Sequence, residues 1–310
     1  MKIVVLSTNI CSIPTCQYLA NNHMLKMLAS TDEFNPYAIQ LEQAATGLNV
    51  PFKRFSKAEL KTAFRDALTA LKPDLVLVFA FGHKIPAELF SIPKHGFYNV
   101  HYSLLPRYRG KCPVFWQLKN GDPNGGISIH RVTEEFDAGG LLMQKPVQLI
   151  PGATHGIYWG QLSMECVQVA ASAIDRLKSP GELWLLPQNE AEATLAPGPQ
   201  PDDFKISWQN QTANEVENLV NACNPDYGGA LTMFRGQLLR LIEVMPAELN
   251  MPEEAAPGTI VYADTNYGIF VACKNRQFLK INIVNSNEGF LSGNKLAGLG
   301  VRAGEQMVDF

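Results

Sequence analysis

The sequence predicts an α/β protein in which a Rossmann-like, mostly parallel sheet is followed by a small, OB-like β-barrel domain. In the first half, short and continuously apolar strands alternate with helical segments, which is typical of a parallel sheet covered on both faces. Four prolines then fall between residues 187 and 201, as in a linker. Short strands follow, separated by polar and glycine residues, as in a small barrel. We predict a first domain over 1–186, a linker over 187–203 and a barrel domain over 204–310.

Apolar runs and helical spacing locate the individual elements. Pro14 suits the first turn of a helix, so a helix is predicted to begin at residue 13. Two further helices are predicted over 58–71 and 155–177. The predicted strands of the first domain are 3–6, 75–79, 96–101, 126–131 and 141–150. The barrel domain is predicted to contain a helix over 212–223 and strands over 230–234, 238–244, 258–262, 269–273 and 278–284.

The composition indicates a packed globular protein. Hydrophobic residues make up 46% of the chain and charged residues 18%, which is ordinary for folded domains. The longest apolar stretch, 75–81, is far shorter than the roughly 20 residues that a membrane-spanning helix needs. The N-terminus has no signal-peptide pattern, and the six cysteines have neither CxxC nor zinc-ligand spacing. We therefore expect a cytoplasmic protein with reduced, buried thiols and no membrane partner.

Motifs of several common enzyme classes are missing from the sequence. The turn after the first predicted strand reads Ser7-Thr8-Asn9-Ile10 and lacks the GxGxxG pattern of dinucleotide-binding folds. The sequence also contains no Walker A loop, no HExxH and no G-x-S-x-G. These observations disfavour a nicotinamide enzyme, a P-loop enzyme and a metal enzyme, and we expect no metal site.

A dense polar stretch begins at the end of the predicted strand 96–101. Asn99 and His101 are two residues apart, so both side chains point to the same side of a strand. Ligands bind at the carboxyl ends of strands in open parallel sheets, which makes this stretch a candidate site. The alternative is that a strand-end Asn and His only satisfy backbone groups of the following loop.

This stretch resembles the folate-dependent formyltransferases, a family that includes methionyl-tRNA formyltransferases and amino-sugar N-formyltransferases. The family is marked by Asn-x-His at a strand end followed by Ser-Leu-Leu-Pro, and here Asn99, His101 and residues 103–106 match these elements. An Asp-x-Gly loop follows further along the chain, and Asp137-Ala138-Gly139 supplies it. In character the sequence is most similar to the amino-sugar enzymes.

Weaker marks extend the resemblance. Residues 109–113 match the family's Arg-Gly-x-x-Pro, and residues 81–86 match the loop that lines its pterin pocket. The likeness covers residues 1–245 and includes the linker and the C-terminal barrel. Tyr102 stands where the family commonly has Gly or Pro, so we expect the pocket wall to differ there.

The resemblance implies transfer of a formyl group from 10-formyltetrahydrofolate to a primary amine, without a metal. The Asn99 amide is expected to donate to the oxyanion of the tetrahedral intermediate. His101 is expected to take the proton of the amine or to donate to the oxyanion. Asp137 is expected to hold the imidazole and to raise its pKa through its charge.

The resemblance also assigns binding residues. Those expected to contact the folate are His83, Lys84, Ile85, Ser103, Leu104, Leu105, Pro106, Lys111, Thr133, Glu134, Glu135, Phe136 and Asp137. Those expected to contact the acceptor substrate are Tyr102, Arg107 and Arg109.

The other histidines and the cysteines are expected to take no part in the reaction. His23, His95 and His155 lie in loop-like contexts and are interpreted as exposed or capping residues. His130 precedes an arginine on a predicted strand and is interpreted as structural. The cysteines are expected to take no part, with Cys112 alone near the site.

The sequence leaves several acceptors open. A nucleotide-linked amino sugar is the leading hypothesis. Arg107, Arg109 and Lys111 form a basic cluster that suits either the phosphates of such a substrate or the glutamate tail of folate. Another small or peptide-carried amine and initiator tRNA are the alternatives. A non-catalytic folate-binding protein and a formyl-folate hydrolase are the remaining hypotheses.

Charge argues against tRNA as the acceptor. Residues 201–310 carry eight Lys and Arg against thirteen Asp and Glu, whereas tRNA binding needs basic surface. Residues 23–34 also lack the basic loop with which transfer-RNA formyltransferases grip their substrate. We therefore expect a small-molecule amine as the partner, with tRNA and a homodimer left open.

Overall fold

The fold was analysed in a computed structural model, which describes residues 1–250 and 255–310. The chain forms two compact units. The first comprises Met1–Pro113, Asn124–Gln148 and Trp159–Pro197, and the second comprises Val114–Pro123, Leu149–Tyr158 and Gly198–Phe310. The units divide between Pro197 and Gly198, inside the predicted linker. The domain bounds 1–186, 187–203 and 204–310 stay a prediction.

A seven-stranded sheet forms the first unit. Its strands are β1 (Ile3–Ser7), β2 (Leu25–Thr31), β3 (Phe52–Phe55), β4 (Leu75–Phe79), β5 (Phe97–His101), β6 (Asn124–Arg131) and β7 (Leu141–Gln148). They lie in the order β3-β2-β1-β4-β5-β6-β7. Pairing is parallel from β3 to β5, and β6 and β7 are antiparallel. The predicted Rossmann-like, mostly parallel sheet is confirmed.

Helices accompany this sheet because its central strands are apolar on both faces. The helices of the first unit are α1 (Ile13–Asn21), α2 (Ala38–Gly47), α3 (Ala63–Leu71) and most of α5 (His155–Lys178), whereas α4 (Pro113–Lys119) belongs almost entirely to the second unit. Every residue of β1 and β4 is buried. Val4 and Val76 on one face belong to the same apolar cluster as Phe64 and Leu68 of α3. This burial explains why the predicted strands read as continuous apolar runs.

The structure also contains elements that the sequence analysis did not predict. β2, α2 and β3 lie within residues 25–55. Lys53 and Arg54 make half of β3, and both are exposed because β3 is an edge strand. The predicted helix over 58–71 is a 3₁₀ turn at Glu59–Lys61 followed by α3.

The second unit contains a curled antiparallel sheet. Its helices are α6 (Ala213–Cys223) and α7 (Gly293–Gly298), and its strands are β8 (Ala230–Phe234), β9 (Gln237–Ala247), β10 (Ile260–Asp264), β11 (Gly268–Ala272), β12 (Phe278–Ser286), β13 (Gly289–Ser292) and β14 (Met307–Val308). The order is β10-β11-β12-β9-β8-β14, with β13 paired to β12. The N–H of Ile260 donates to the carbonyl oxygen of Glu305 at 2.8 Å, and that of Met307 to Gly258 at 2.8 Å. These bonds join the two ends of the sheet, so the predicted OB-like barrel is confirmed.

This barrel has more elements than the five strands and one helix that were predicted. β13, β14 and α7 are short, and periodicity is weak over so few residues. Within residues 1–250 and 255–310, no helix is long and apolar enough to cross a membrane. The cytoplasmic location stays a prediction.

Candidate functional site

A cavity of about 280 Å³ lies in the first unit, at the carboxyl ends of β4 and β5. Its lining consists of Cys11, Ala80, Phe81, Gly82, Asn99, Val100, His101, Tyr102, Gly110, Lys111, Pro113, Asp137 and Trp159. The structure therefore brings Asn99, His101 and Asp137 to one cavity, as the sequence predicts. Their separation in sequence is bridged by the parallel sheet and by the loop after β6.

Two donors hold the Asp137 carboxylate, and a histidine side chain lies against it. Its Oδ1 accepts from Nδ2 of Asn99 at 3.1 Å and lies 3.3 Å from Nε2 of His130. Its Oδ2 accepts from the backbone N–H of Gly110 at 2.9 Å. Burial opposes the charge of this carboxylate, but attraction to His101 when that ring is protonated and the contact with His130 outweigh it and hold the pKa of Asp137 well below its usual range. Asp137 is therefore a carboxylate at neutral pH.

The His101 ring is buried and has a defined tautomer. Its Nε2 lies 2.7 Å from the carbonyl oxygen of Tyr108. A carbonyl oxygen can only accept, so Nε2 carries the proton and Nδ1 keeps its lone pair. Nδ1 lies 3.7 Å from Oδ2 of Asp137. Nδ1 is therefore the atom of His101 that can take up a proton.

The net pKa shift of His101 differs from the prediction. Asp137 does act to raise this pKa, as expected, but burial of the ring is the larger effect and lowers it below its ordinary value. Asp137 thus acts in the expected direction, and it is burial, which the prediction did not include, that makes the net shift of the His101 pKa downward. The imidazole is therefore kept neutral and ready to accept a proton at neutral pH.

His130 belongs to the site, although the sequence analysis interpreted it as structural. Asn99 and His130 are directly opposite each other in the β5–β6 pairing. Nε2 of His130 lies 3.2 Å from Nδ2 of Asn99 and 3.3 Å from Oδ1 of Asp137.

His155, interpreted as exposed or capping, is buried in the second unit and pairs with Asp226 at 3.1 Å.

One wall of the cavity is aromatic. The rings of Tyr102 and Trp159 meet edge to face at 5.0 Å between centroids. Nε1 of Trp159 donates to Oδ1 of Asn9 at 3.1 Å. Cys11 also lines the cavity, whereas the sequence analysis placed only Cys112 near the site. Burial raises the pKa values of Cys11 and Tyr102, so both are neutral.

Only some of the predicted folate-binding residues line the cavity. Lys111 and Asp137 line the cavity. The residues that do not line it are His83, Lys84, Ile85, Ser103, Leu104, Leu105, Pro106, Thr133, Glu134, Glu135 and Phe136. Ser103 is fully buried, and its hydroxyl donates to the carbonyl oxygen of Arg107 at 2.7 Å. Thr133 to Phe136 are exposed on the loop that leads to Asp137.

Of the predicted acceptor residues, only Tyr102 lines the cavity. Arg107 is exposed and stacks over the ring of Tyr108 at 5.2 Å. Nη2 of Arg109 donates to Oε1 of Glu190 at 2.7 Å and to Oε1 of Gln188 at 2.8 Å. The guanidinium of Arg109 is thus engaged within the protein, which weakens the prediction that it binds substrate phosphates.

Comparison with known proteins identifies the family. The formyl transferase family matches residues 1–169, and the formyl transferase C-terminal domain family matches residues 200–291. The chain belongs to the formyl transferase family. The family predicted from Asn99, His101 and Asp137 is therefore confirmed.

Its curated relatives include methionyl-tRNA formyltransferases. The enzyme of Bacillus mycoides (strain KBAB4) is 30% identical over 323 residues, which cover 98% of this chain and 99% of that protein. The enzyme of Synechococcus sp. (strain JA-3-3Ab) is 31% identical over 210 residues, covering 66% of this chain and 64% of that protein.

Two solved structures share the fold at low identity. HypX from Aquifex aeolicus, crystallised with tetrahydrofolic acid, has a TM-score of 0.64 and 17% identity. The match covers 96% of this chain, which spans about half of HypX (47% of that chain). An N-formyltransferase from Helicobacter canadensis, crystallised with folinic acid and dTDP-3-aminofucose, has a TM-score of 0.64 and 13% identity, over 90% of this chain and 98% of that chain.

Three residues at the site of this formyl transferase were missed by sequence reasoning: His130 beside the cavity, and Trp159 and Cys11 in its lining. His130 is opposite Asn99 only because of the β5–β6 register, which the sequence does not reveal. Trp159 is distant in sequence and enters the cavity from helix α5. Cys11 follows β1, whose carboxyl end is adjacent to that of β4. The neighbouring ends of these strands are the one signal that could have found Cys11.

Proposed function

We propose that this chain moves a formyl group from 10-formyltetrahydrofolate to the primary amine of a small molecule, a nucleotide-linked amino sugar. The observation that carries the proposal is the convergence of Asn99, His101 and Asp137 on one cavity. The donor set suits acyl transfer, which needs an oxyanion donor and a group that moves protons. Among the described residues, no group of three or more His, Cys, Asp or Glu could hold a metal ion.

In this proposal His101 handles the proton. Its Nδ1 has a free lone pair, because Nε2 donates to the carbonyl oxygen of Tyr108. As the amine nitrogen bonds to the formyl carbon, Nδ1 takes the proton that the nitrogen loses. The Asp137 carboxylate, 3.7 Å away, stabilises the resulting cation. The same proton then passes to the folate nitrogen as its bond to the formyl carbon breaks.

Asn99 stabilises the oxyanion in this proposal. Its Nδ2 carries two hydrogens, of which one is directed to Asp137. The same nitrogen also lies 3.2 Å from Nε2 of His130, and in this proposal its second hydrogen is donated to the formyl oxygen as that atom gains negative charge. Losing one such donor typically costs about 100- to 1000-fold in rate.

The two sides of the cavity suit two substrates. Phe81 and Gly82 lead directly into residues 83–85, where the folate is expected, so the donor is assigned to that side. The acceptor is assigned to the part of the lining formed by Tyr102 and Trp159, which offer aromatic surface to a sugar ring. The fold likeness to the Helicobacter canadensis enzyme, crystallised with an amino sugar on dTDP, supports this acceptor class.

A methionyl-tRNA formyltransferase is the second candidate, because curated relatives with that activity match 98% of the chain. The charge of residues 201–310, with thirteen acidic and eight basic side chains, argues against a tRNA surface in the second unit. The loop after β2 carries Asp32 and Glu33 and no basic residue. The small amine is therefore the preferred acceptor.

The test is incubation with 10-formyltetrahydrofolate and separate acceptors: nucleotide-linked amino sugars, free amino sugars, amino acids and charged initiator tRNA. Mass spectrometry of the products and release of tetrahydrofolate are the readouts. Turnover with an amino sugar supports the proposal. Formylation of tRNA, with filter binding in the micromolar range or tighter at low salt, establishes the second candidate instead. Folate release without an acceptor indicates a hydrolase, and folate binding without any release indicates a non-catalytic protein.

A further inference from the structure

We infer that residues 188–196, called the strap below, position both His101 and Asp137 for reaction, with Gln188 and Thr194 as the positioning residues. From its composition, this segment is predicted to be part of a linker. The inference rests on the proposed function, because it takes His101 and Asp137 as the reacting groups. It follows from two sets of hydrogen bonds within the first unit.

Gln188 holds the backbone of the Asp137 loop. Its Nε2 donates to the carbonyl oxygens of Asp137 at 2.7 Å and Gly139 at 2.8 Å. Asp137 has φ +54°, a left-handed conformation that is unfavourable for most residues and needs support from its surroundings. Both N–H groups of the Gln188 amide therefore donate to the turn that carries the Asp137 carboxylate.

Arg109 fixes the orientation of that amide. Oε1 of Gln188 accepts from Nε of Arg109 at 3.1 Å and from Nη2 at 2.8 Å. The same guanidinium pairs with Glu190 of the strap. With its oxygen held by a cation, the amide of Gln188 can only present its nitrogen to the two carbonyls. A simple connecting segment needs no such arrangement.

Thr194 holds the other catalytic loop. Its Oγ1 accepts from the N–H of Tyr108 at 2.8 Å. Its carbonyl oxygen accepts from the N–H of Arg109 at 2.8 Å, and its N–H donates to Pro106 at 3.2 Å. Tyr108 has φ +62°, and its carbonyl oxygen accepts from Nε2 of His101 at 2.7 Å. Thr194 therefore fixes the peptide that determines the tautomer of His101.

The strap makes two further backbone bonds at Ala196, which is fully buried. Its N–H donates to the carbonyl oxygen of Arg109 at 2.7 Å, and its own carbonyl accepts from the N–H of Cys112 at 3.1 Å. Gly110 lies between these bonds and donates to Oδ2 of Asp137. The strap therefore holds the loop whose carbonyl orients His101 and the loop that carries Asp137. It also positions the Gly110 N–H, which joins the two loops by donating to Asp137.

The experiment compares Thr194→Val, which removes the acceptor for Tyr108, with Thr194→Ser, which retains it. Gln188→Leu removes both amide donors. Thr46→Val and Gln43→Leu make the same chemical changes on exposed positions of helix α2. We expect kcat to fall about 10- to 100-fold in Thr194→Val and Gln188→Leu, because small misplacements of reacting groups have such costs. Thr194→Ser and both controls are expected to stay within about twofold of wild type, below the size of a misplacement effect.

Two further readouts separate positioning from simple destabilisation. The KM for 10-formyltetrahydrofolate is expected to be unchanged, since the loss is confined to the transition state. Nitrogen NMR of the His101 side chain is expected to report the Nε2–H tautomer in wild type and Thr194→Ser, and a mixture in Thr194→Val. Variants that melt earlier but keep wild-type kcat and tautomer would overturn the inference.

The NMR measurement also separates this inference from the proposed function. If the wild-type chain formylates no amine, the proposed function fails. The tautomer comparison still decides whether Thr194 controls His101. An unchanged tautomer in Thr194→Val overturns the inference whether or not formyl transfer is found.

Discussion

Nδ1 of His101 lies 3.7 Å from Oδ2 of Asp137, beyond hydrogen-bond distance but within the range of an ion pair. The neutral imidazole therefore has no proton to share with the carboxylate, since Nε2 donates to Tyr108. Once Nδ1 is protonated, the attraction between the two side chains strengthens. Asp137 thus favours the protonated form of His101 that arises during reaction, while burial favours the neutral form before it.

The pH dependence of turnover follows from this relationship. Burial lowers the pKa of His101 below its ordinary value of 6.5. A base must be neutral to act, so kcat should be level at neutral pH and should fall only as the pH drops through a value below 6.5. A pH–rate profile checks this, with circular dichroism at each pH to confirm folding. An acid limb centred above 6.5 contradicts the expectation.

Asp137→Asn should move that acid limb. The carboxylate raises the pKa of His101, so its loss should lower this pKa further and shift the limb to more acidic pH. We also expect kcat to fall by roughly 100-fold or more, since the protonated ring loses its counterion. A shift of the limb toward neutral pH would falsify the assigned pairing. Glu135→Gln, an exposed change on the same loop, is the control that should leave the limb in place.

The same pKa shifts predict how folding stability depends on pH. The pKa of Asp137 is lowered in the folded state, so its contribution is present above its unfolded pKa and is lost as the pH falls through and below that value. The pKa of His101 is also lowered, so the unfolded chain binds more protons as the pH falls below 6.5. Both effects make stability decrease on acidification. His101→Gln should therefore flatten the dependence of the melting temperature on pH just below 6.5.

Removing the imidazole tests its role in proton transfer. We expect His101→Ala to lower kcat by roughly 100-fold or more while the binding of a folate analogue is retained. Thermal-shift titration with folinic acid measures that binding, because a ligand of the folded state raises the melting temperature. His23→Asn is a matched control, since His23 is exposed and has φ +57°, a conformation that Asn tolerates. Near wild-type turnover of His101→Ala would show that another group moves the proton.

The sequence was sufficient to predict features that depend on a single secondary-structure element. Asn99 and His101 lie on one strand, so their common orientation follows from the alternation of side chains. Apolar runs identified β1 and β4 because both faces of these strands are covered. The position of Asp137 came from the resemblance to a family motif, since nothing in local sequence places a loop after β6 beside β5.

Other features depend on tertiary structure that local patterns do not contain. His130 contacts Asn99 through antiparallel register, and a shift by one residue would turn it away. The direction of the His101 pKa depends on how completely the ring is buried, which a charge pattern does not reveal. The segment around Gln188 reads as a linker from its composition, yet its side chains bond to the catalytic loops.

Gly110 is constrained by both its conformation and its neighbours. It has φ +122°, and a Cβ built there would lie 2.7 Å from the carbonyl oxygen of Ala196. Gly110→Ala should therefore cost about 1–3 kcal/mol of stability from backbone strain and displace the N–H that donates to Asp137. We expect a lower melting temperature and a reduced kcat. Gly47→Ala is the control, because a Cβ at Gly47 meets nothing within 4 Å and Ala is favoured in helices.

Trp159 tests where the acceptor binds. Its indole lines the cavity, packs edge to face on Tyr102 at 5.0 Å, and is anchored by the bond from Nε1 to Asn9. Trp159→Phe keeps an aromatic ring but removes this bond and part of the wall. If the acceptor lies against this wall, its KM should rise several-fold while the KM for 10-formyltetrahydrofolate stays constant, because only one substrate loses contacts. Steady-state kinetics with each substrate varied in turn measures both values.

Trp184→Phe is the matched control for this change, since Trp184 is 63% exposed and does not line the cavity. It should leave both KM values unchanged. A rise in the KM for the folate alone, in Trp159→Phe, would place the donor on the aromatic wall and the acceptor beside Phe81. That result would reverse the assignment of the two substrates while leaving the roles of Asn99 and His101 intact, because both residues line the same cavity.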